Sequence, residues 1–316
     1  MDNIRPFDDF AYNVCRLVSL PTLNQLKLVD EWDFIASYVY KKIVILSCTI
    51  YIPDKSDEEP FYVLDAPHGI SSVKIILEQK RSLTQLLHGR IINLFFKPVS
   101  AFKDKDLTRR ISLCGSLNGP TYEDVVIRAS SNVKYVHFED VDPNMLDLTR
   151  LKLVRSTQIC IKNCVALTPE SQFLAWFKNE IRNFDNIGIY DTPSTEPLNL
   201  EDDFFHFILT GQSSANLTSK TESEKPNFFY LTKEFLKNLT EGWLSEDHPE
   251  KHSSVLSFDS PNWKMSKDGL VPEVFPGIVF HDGCGPIGHR ATRKRGTRWP
   301  TVETTRQFRC VVLGVT

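Results

Sequence analysis

The chain has 316 residues, of which 41% are hydrophobic and 24% charged, and its formal net charge is −3. This composition is typical of a folded soluble protein of one or two domains, and it excludes collagen-like, wholly disordered and small disulfide-stapled classes. The longest apolar run, 43–52, is half the roughly 20 residues of a membrane-spanning helix, and no signal peptide is predicted. Seven widely spread cysteines indicate reduced thiols, so we expect a cytoplasmic or nuclear location.

Residues 1–42 are predicted to form short amphipathic helices. Apolar residues recur at steps of three and four on both sides of Pro21, which is well placed to begin a helix. The residues that carry this spacing are Phe10, Val14, Leu17, Leu23, Leu26, Val29, Trp32, Ile35 and Val39. Because so small a segment is not stable alone, we expect it to pack against a neighbour.

Short β-branched and aromatic runs follow the helices and predict strands at 43–52 and 61–64. Further along, apolar residues recur at relative positions 1, 4 and 6 of a repeated pattern, often with a small or apolar residue at position 9. The copies begin at Ile70, Ile91, Val133, Ser156, Phe184 and Ser253. The copies that begin at 133, 156 and 184 are the most closely spaced, at intervals of 23 and 28 residues.

Helical stretches are predicted between these copies, at 121–131, 143–154, 169–182, 200–210 and 230–244. This period is typical of a leucine-rich-repeat solenoid, in which parallel strands form a sheet and helices pack behind it. An ordinary open α/β sheet has the same alternation and stays an alternative. We therefore predict an α/β fold, with a short N-terminal helical module before an irregular leucine-rich-repeat-like solenoid with a parallel sheet.

The three closely spaced copies also predict which side chains are covered. Because side chains alternate across a strand, one set should face the helices and the other should face outward. The predicted inward set is Val136, Phe138, Ile159, Ile161, Ile187 and Ile189. The predicted outward set is Tyr135, His137, Gln158, Cys160, Gly188 and Tyr190. The predicted repeat surface is Tyr135, His137, Gln158, Cys160, Lys162, Asn186 and Tyr190.

Two polar segments are predicted to be irregular. Residues 213–226 are rich in Ser and Thr and predict a loop. Residues 281–316 carry seven Lys/Arg and two Asp/Glu, a net charge of about +5 that leaves about −8 for residues 1–280. We predict a disordered basic tail there, so that the domain limits are 1–42, 43–280 and 281–316.

Three roles are open for the basic tail: a solubilising segment, a nuclear-localisation signal, or a salt-sensitive contact with phosphate. Its basic cluster is Arg290, Arg293, Lys294, Arg295 and Arg298. Only Trp299 lies near it as a stacking partner, so the sequence does not indicate specific nucleic-acid recognition.

Catalytic signatures are missing from the sequence. It has no glycine-rich nucleotide loop, nucleophile elbow or His-Glu-x-x-His motif. His248 and His252 lie in a polar segment broken by proline, and Cys284 lacks enough partners for zinc. Cys160 and Cys164 have a permissive zinc spacing, but Cys164 falls at position 9, where a repeat buries such a residue. We expect no catalytic residue, metal or cofactor.

The N-terminal helices carry a more specific pattern. Pro6-Phe-Asp-Asp-Phe10 precedes Leu23-x-x-Leu26-x-Leu28-Val29-x-x-Trp32, and this resembles a divergent F-box. It departs from the usual pattern by an aspartate in place of glutamate, by a displaced proline, and by an interval before Trp32 that is one residue short. The body resembles the irregular α/β repeats that follow an N-terminal F-box in the large nematode F-box families.

The resemblance implies a substrate-receptor subunit of a Skp1-cullin-F-box ubiquitin ligase. Its partners would be a Skp1-type adaptor protein and an unknown substrate protein. The partner-binding residues it implies are Pro6, Phe10, Val14, Leu17, Leu23, Leu26, Leu28, Val29 and Trp32. Three alternatives stay open: a helical cap that closes the solenoid end, a stand-alone repeat scaffold, and an enzyme whose site is too dispersed to recognise in the sequence.

Overall fold

A computed structural model describes most of the chain as far as residue 204 and shorter pieces beyond it. The described residues are 6–55, 58–66, 88–103, 110–113, 116–117, 119–155, 157–196, 198, 200–204, 215–220, 227–229, 234–235, 238, 254–259, 279–281, 289–293 and 306–313. The chain divides into two compact units, one of residues 1–136 with 147–154 and the other of residues 137–146 with 155–316.

Three helices open the first unit, as the N-terminal periodicity predicts. They are α1 (Pro6–Leu17), α2 (Leu20–Leu26) and α3 (Asp33–Lys42). Ser19 caps α2, because its Oγ accepts a hydrogen bond from the Thr22 amide at 3.3 Å, and Pro21 lies in the first turn. The side chains buried between the helices form the module core: Ala11, Cys15, Leu23, Ile35, Ala36 and Val39.

A small mixed sheet follows in the same unit. Its strands are β1 (Val44–Ile52), β2 (Phe61–Asp65), β3 (Gly89–Pro98) and β4 (Ile111–Ser112). Strand β1 is parallel to β3 and antiparallel to β2, which also pairs with β4. Helix α4 (Pro120–Ala129) contacts β3 and buries Tyr122, Val125 and Val126. The strands predicted at 43–52 and 61–64 and the helix predicted at 121–131 are confirmed.

The second unit contains a mostly parallel sheet, so the predicted α/β class is confirmed. Its strands are β5 (Tyr135–Glu139), β6 (Thr157–Lys162), β7 (Phe184–Tyr190), β8 (Ala215–Lys220), β9 (Ser254–Asp259), β10 (Val279–His281), β11 (His289–Arg293) and β12 (Arg306–Leu313). Their order is β5-β6-β7-β8-β9-β12-β11-β10. Parallel pairing runs from β6 through β9 to β12, and β11 pairs antiparallel with both β12 and β10. The first two residues of β5 belong to the first unit.

The alternation predicted for the three closely spaced copies is present in β5 and β6, and it fails in β7 at Gly188, which was predicted to face outward and is buried. The predicted inward residues are all buried, namely Val136, Phe138, Ile159, Ile161, Ile187 and Ile189. Helix α5 (Gln172–Glu180) covers part of this set, with the Phe138 and Phe173 rings 5.0 Å apart between centroids. Strands β6 and β7 are parallel, as predicted, and β5 lies next to β6.

Two predicted segments are wrong. Over 143–154, only Pro143–Met145 is helical, as one 3-10 turn. This stretch buries four leucines, Leu146, Leu148, Leu151 and Leu153. They form two pairs, each two residues apart, and this spacing is typical of extended chain rather than of a helix. The loop predicted at 213–226 contains β8, in which Leu217 is buried and the Ser219 Oγ donates to the Phe229 carbonyl at 2.8 Å. Bonded hydroxyls let so polar a segment pair as a strand.

The structure also differs from the predicted disordered tail. Strands β11 and β12 lie within 281–316, and β12 pairs parallel with β9. The apolar run that contains Cys310 and Val312 supplies an added strand, because β-branched residues favour extended chain. The rest of the tail lies outside the described residues, as do most of the helices predicted at 200–210 and 230–244, of which 201–204, 234–235 and 238 are described as helical.

Candidate protein-interaction surface

The N-terminal helices expose large apolar side chains in addition to the core that they bury. Leu28 is 84% exposed and Phe34 is 82% exposed. Phe10, Val29, Tyr38 and Tyr40 are also exposed. We call the exposed Phe10, Leu28, Val29 and Phe34, together with the half-buried Trp32 beside Phe10, the exposed apolar surface of the module. Single exposed apolar residues are ordinary, but several in one short segment are typical of an interaction site.

The turn between α2 and α3 positions the central residues of this surface. The Leu28 amide donates to the Gln25 carbonyl at 2.9 Å, and the Val29 amide donates to the Leu26 carbonyl at 3.1 Å. The Trp32 amide in turn donates a hydrogen bond to the Val29 carbonyl at 2.8 Å. Because this bonded turn fixes the backbone, the exposed side chains of Leu28 and Val29 are held in place rather than left on a loose loop.

Of the nine residues implied by the resemblance, seven have described side chains, and these fall into three groups. Phe10, Leu28 and Val29 are exposed, and Val14, Leu26 and Trp32 are half-buried. Leu23 is fully buried in the module core, where no partner can contact it. The side chains of Pro6 and Leu17 lie outside the described residues.

Phe34 was missed by the sequence reasoning, although it lies next to the motif. The apolar spacing assigned only Ile35 to the helical face, and both residues lie in the first turn of α3. Trp32 joins the surface to the core, since its ring packs against the core residues and lies 6.4 Å from the Phe10 ring. An exposed aromatic one position before a buried apolar residue in a helix is the signal that marks Phe34.

The predicted repeat surface is partly exposed. Gln158 and Lys162 are exposed, while Tyr135, His137, Cys160, Asn186 and Tyr190 are half-buried. Gly188 is buried, because the Tyr190 ring lies over it: a Cβ added at Gly188 would lie 2.8 Å from Tyr190 Cε2. The Lys162 Nζ lies 3.0 Å from Glu139 Oε1, and this hydrogen bond raises the pKa of Lys162.

The residue that follows each of these strands has the same unusual backbone. Asp140, Asn163 and Asp191 come directly after β5, β6 and β7 and have φ angles of 56°, 50° and 45°. Asp and Asn tolerate this left-handed conformation better than most side chains. The Asp140 amide donates to the Lys162 carbonyl at 3.0 Å, and the Asn163 amide donates to the Tyr190 carbonyl at 2.9 Å. The three strand ends are therefore built in the same way.

A polar ladder lies beyond these strand ends. The Cys164 amide donates to Thr192 Oγ1 at 3.2 Å, and the Thr192 amide donates to Asn227 Oδ1 at 2.8 Å. The Asn227 Nδ2 donates to the Ile189 carbonyl and to Ser219 Oγ, at 3.2 and 3.0 Å. Cys164 and Thr192 are at position 9 of their copies, as predicted, and Asn227 extends the series.

Four cysteines of the described part of the chain form no disulfide. Cys15, Cys48, Cys160 and Cys164 are free thiols. Burial raises the pKa of the Cys164 thiol to about 12, and the thiol donates to the Lys162 carbonyl at 3.4 Å. Within the described residues, no group of three or more His, Cys, Asp and Glu side chains is placed to hold a metal ion. The His248, His252 and Cys284 candidates lie outside the described residues.

Among the described residues, no helix is both long and apolar enough to span a membrane. Comparison of the chain with protein-family models, curated proteins and solved structures finds no match.

Proposed function

We propose that this chain is a non-catalytic protein-interaction protein, the substrate-receptor subunit of a Skp1-cullin-F-box ubiquitin ligase. The observation that carries the proposal is the exposed apolar surface of the module, with Leu28 and Phe34 more than four-fifths exposed. This surface lies within the segment whose spacing resembles an F-box. Covering it with an adaptor would remove apolar area from water, the dominant driving force of association.

The exposed side chains are separate from the side chains that stabilise the module. Leu23 and Ile35 are buried in the core, while Leu28 and Phe34 contribute almost nothing to that core. One exposed apolar residue needs no explanation, but Leu28, Val29 and Phe34 are all exposed within one short stretch of chain. The division of apolar residues into two sets therefore favours a partner over a simple solenoid cap.

The body would present the substrate. The proposal assigns a solenoid-like role to β5, β6 and β7. The repeat surface would contact the substrate, while the covered face and the strand ends hold the strands together. Supporting this role, Gln158 and Lys162 are exposed in the pattern expected of a presented face, and three strand ends share one backbone conformation. Repeats of this kind offer extended binding surfaces.

The experiment is a calorimetric titration of the full chain with a purified Skp1-type adaptor. Truncating a central apolar anchor at an interface usually costs about 2 kcal/mol or more, which is about 30-fold in Kd. We expect that loss for Leu28→Ala and for Trp32→Ala. Ile127→Ala is the matched control, because Ile127 is 50% exposed on α4, outside the motif.

Two outcomes would overturn the proposal: no heat of binding to the unaltered chain, or equal affinity of the Leu28→Ala protein. Trp32 is half-buried and touches the core, so its variant must first show an unfolding midpoint close to that of the unaltered chain. Leu28→Ala needs no such check of stability, since the Leu28 side chain is exposed to solvent.

A further inference from the structure

A cluster of basic and aromatic side chains lies in the first unit, apart from the exposed apolar surface. The Tyr12 hydroxyl lies 3.1 Å from His88 Nε2, and the two rings are 5.9 Å apart. The Arg16 guanidinium lies 5.8 Å from the Tyr12 ring centre. The Arg90 Nη2 donates to the Arg16 carbonyl. Helix α1 and the start of β3 thus bring Arg16, His88 and Arg90 together, and we call these three residues the basic cluster.

The cluster carries a buried positive charge. Arg90 is only 6% exposed, and its pKa is lowered to about 10 by burial and then by Arg128 and Arg16. Burial also lowers the pKa of His88, followed by the charges of Arg16, Lys42, Arg90 and Arg128. The charges of described residues that shift these two pKa values are all positive. A buried cation is normally paired with an anion, because its desolvation is otherwise uncompensated.

Two nitrogen atoms of the cluster are also unused. Within the described part of the chain, Arg16 Nε and His88 Nδ1 are buried and have no hydrogen-bond partner. Among the described residues, the Arg90 side chain donates to carbonyl oxygens, those of Gly89 and Arg16. Nearby, Arg128 has an anionic partner, with its Nε 3.2 Å from Asp124 Oδ1. Buried polar nitrogens of this kind are normally hydrogen-bonded, and among the described residues this cluster has no acceptor that carries negative charge.

We propose that the basic cluster binds a phosphate-class oxyanion, either inorganic phosphate or the phosphate group of a small molecule. The fixed guanidinium forks of Arg16 and Arg90 suit phosphate oxygens, and a ring nitrogen of His88 can supply a further hydrogen bond. Lys42 and Arg128 add to the favourable potential from α3 and α4. A phosphate dianion has more acceptor oxygens and more negative charge than a carboxylate. The cluster has hydrogen-bond donors to match those oxygens and positive charge to match that negative charge.

The first test titrates the full chain with inorganic phosphate, at an ionic strength held constant with sodium chloride. We expect a measurable heat of binding and a rise in the unfolding midpoint. Arg16→Gln and Arg90→Met should each weaken phosphate binding at least tenfold. Arg150→Gln is the matched control, since the Arg150 side chain is 70% exposed and lies 3.3 Å from Glu123 Oε1. Its affinity should equal that of the unaltered chain.

The second test measures the His88 pKa by NMR, which keeps the proposal testable if a variant fails to fold. A bound dianion favours the charged imidazole, so phosphate should raise this pKa from its lowered value. O-phosphoserine in place of inorganic phosphate shows whether a phosphate ester is also accepted, and tighter binding of it would favour a phosphorylated small molecule as the ligand. No heat of binding at millimolar phosphate, an unmoved His88 pKa, or equal loss of affinity in Arg150→Gln would each overturn the proposal.

Discussion

The N-terminal helical module differs from the region of β5, β6 and β7 in how completely it buries its apolar side chains. In the second region the inward residues Phe138, Ile161 and Ile189 are fully buried, and hydrogen bonds join the strand ends. In the module, Leu28 and Phe34 are left in water beside a small core. The strand region therefore covers its inward apolar side chains, whereas the module leaves Leu28 and Phe34 exposed, and this exposed area is what the proposed partner would cover.

The largest expected effect tests the self-contained region. The Phe173 ring lies 5.0 Å from Phe138, 5.8 Å from Trp176 and 6.3 Å from Phe177. Phe173→Ala should therefore lower the free energy of unfolding by about 3–5 kcal/mol, the usual range for a large aromatic in a core. Urea unfolding followed by circular dichroism measures the change. A loss below about 1 kcal/mol would mean that this aromatic cluster is not tightly packed.

Leu23→Ala tests whether the module has a real core. Leu23 is fully buried with Ala11, Cys15 and Val39 around it in the same core. Removing its side chain should cost about 3 kcal/mol in the free energy of unfolding, since Leu→Ala changes in cores cost about 2–5 kcal/mol. Leu26→Ala is not a suitable control, because Leu26 is half-buried and packs on the core. Leu28→Ala serves instead, and equal losses for Leu23 and Leu28 would contradict the comparison.

Asn227→Ala tests the polar ladder. The change would leave the Thr192 amide, the Ile189 carbonyl and the Ser219 hydroxyl without the side chain that they bond. An unsatisfied buried group costs about 1–3 kcal/mol, so we expect a loss of at least that size in chemical unfolding. Asn179→Ala on α5 is the matched control, because Asn179 is exposed. A difference of less than about 0.5 kcal/mol between the two variants would mean that the ladder adds little stability.

The smallest expected effect concerns the exposed apolar surface. Phe34→Ala and Leu28→Ala should change the free energy of unfolding by no more than about 0.5 kcal/mol, as surface substitutions usually do. Thermal unfolding measures this directly. A clear destabilisation by either variant would show that these side chains are structural and would weaken the case for a partner.

The sequence predicted the parallel strand region well because its apolar residues follow one short pattern. Val136, Ile159 and Ile187 occupy the same position in three copies, and all are buried. Position 9 was predicted from the same pattern, and Cys164 and Thr192 form part of the ladder there. Local periodicity of this kind reports which side of a strand is covered.

Features that depend on distant residues could not be predicted. Asn227 joins the ladder although it lies 35 residues after Thr192, outside the 23- and 28-residue spacings. Strand β8 was missed because its Ser and Thr residues are typical of loops until hydrogen bonds to other segments satisfy them. The basic cluster was missed for the same reason, since Arg16 and Arg90 come together only through folding.

Hydrogen exchange, measured with and without a saturating Skp1-type adaptor, tests the central claim most directly. It follows the module and the strand region in the same sample. We expect the amides of residues 25–34 to exchange more slowly when the adaptor is bound, because the exposed apolar surface is then covered. The amides of β5, β6 and β7 should be unchanged. Unchanged exchange in residues 25–34 at saturation, or protection confined to the strands, would contradict the account.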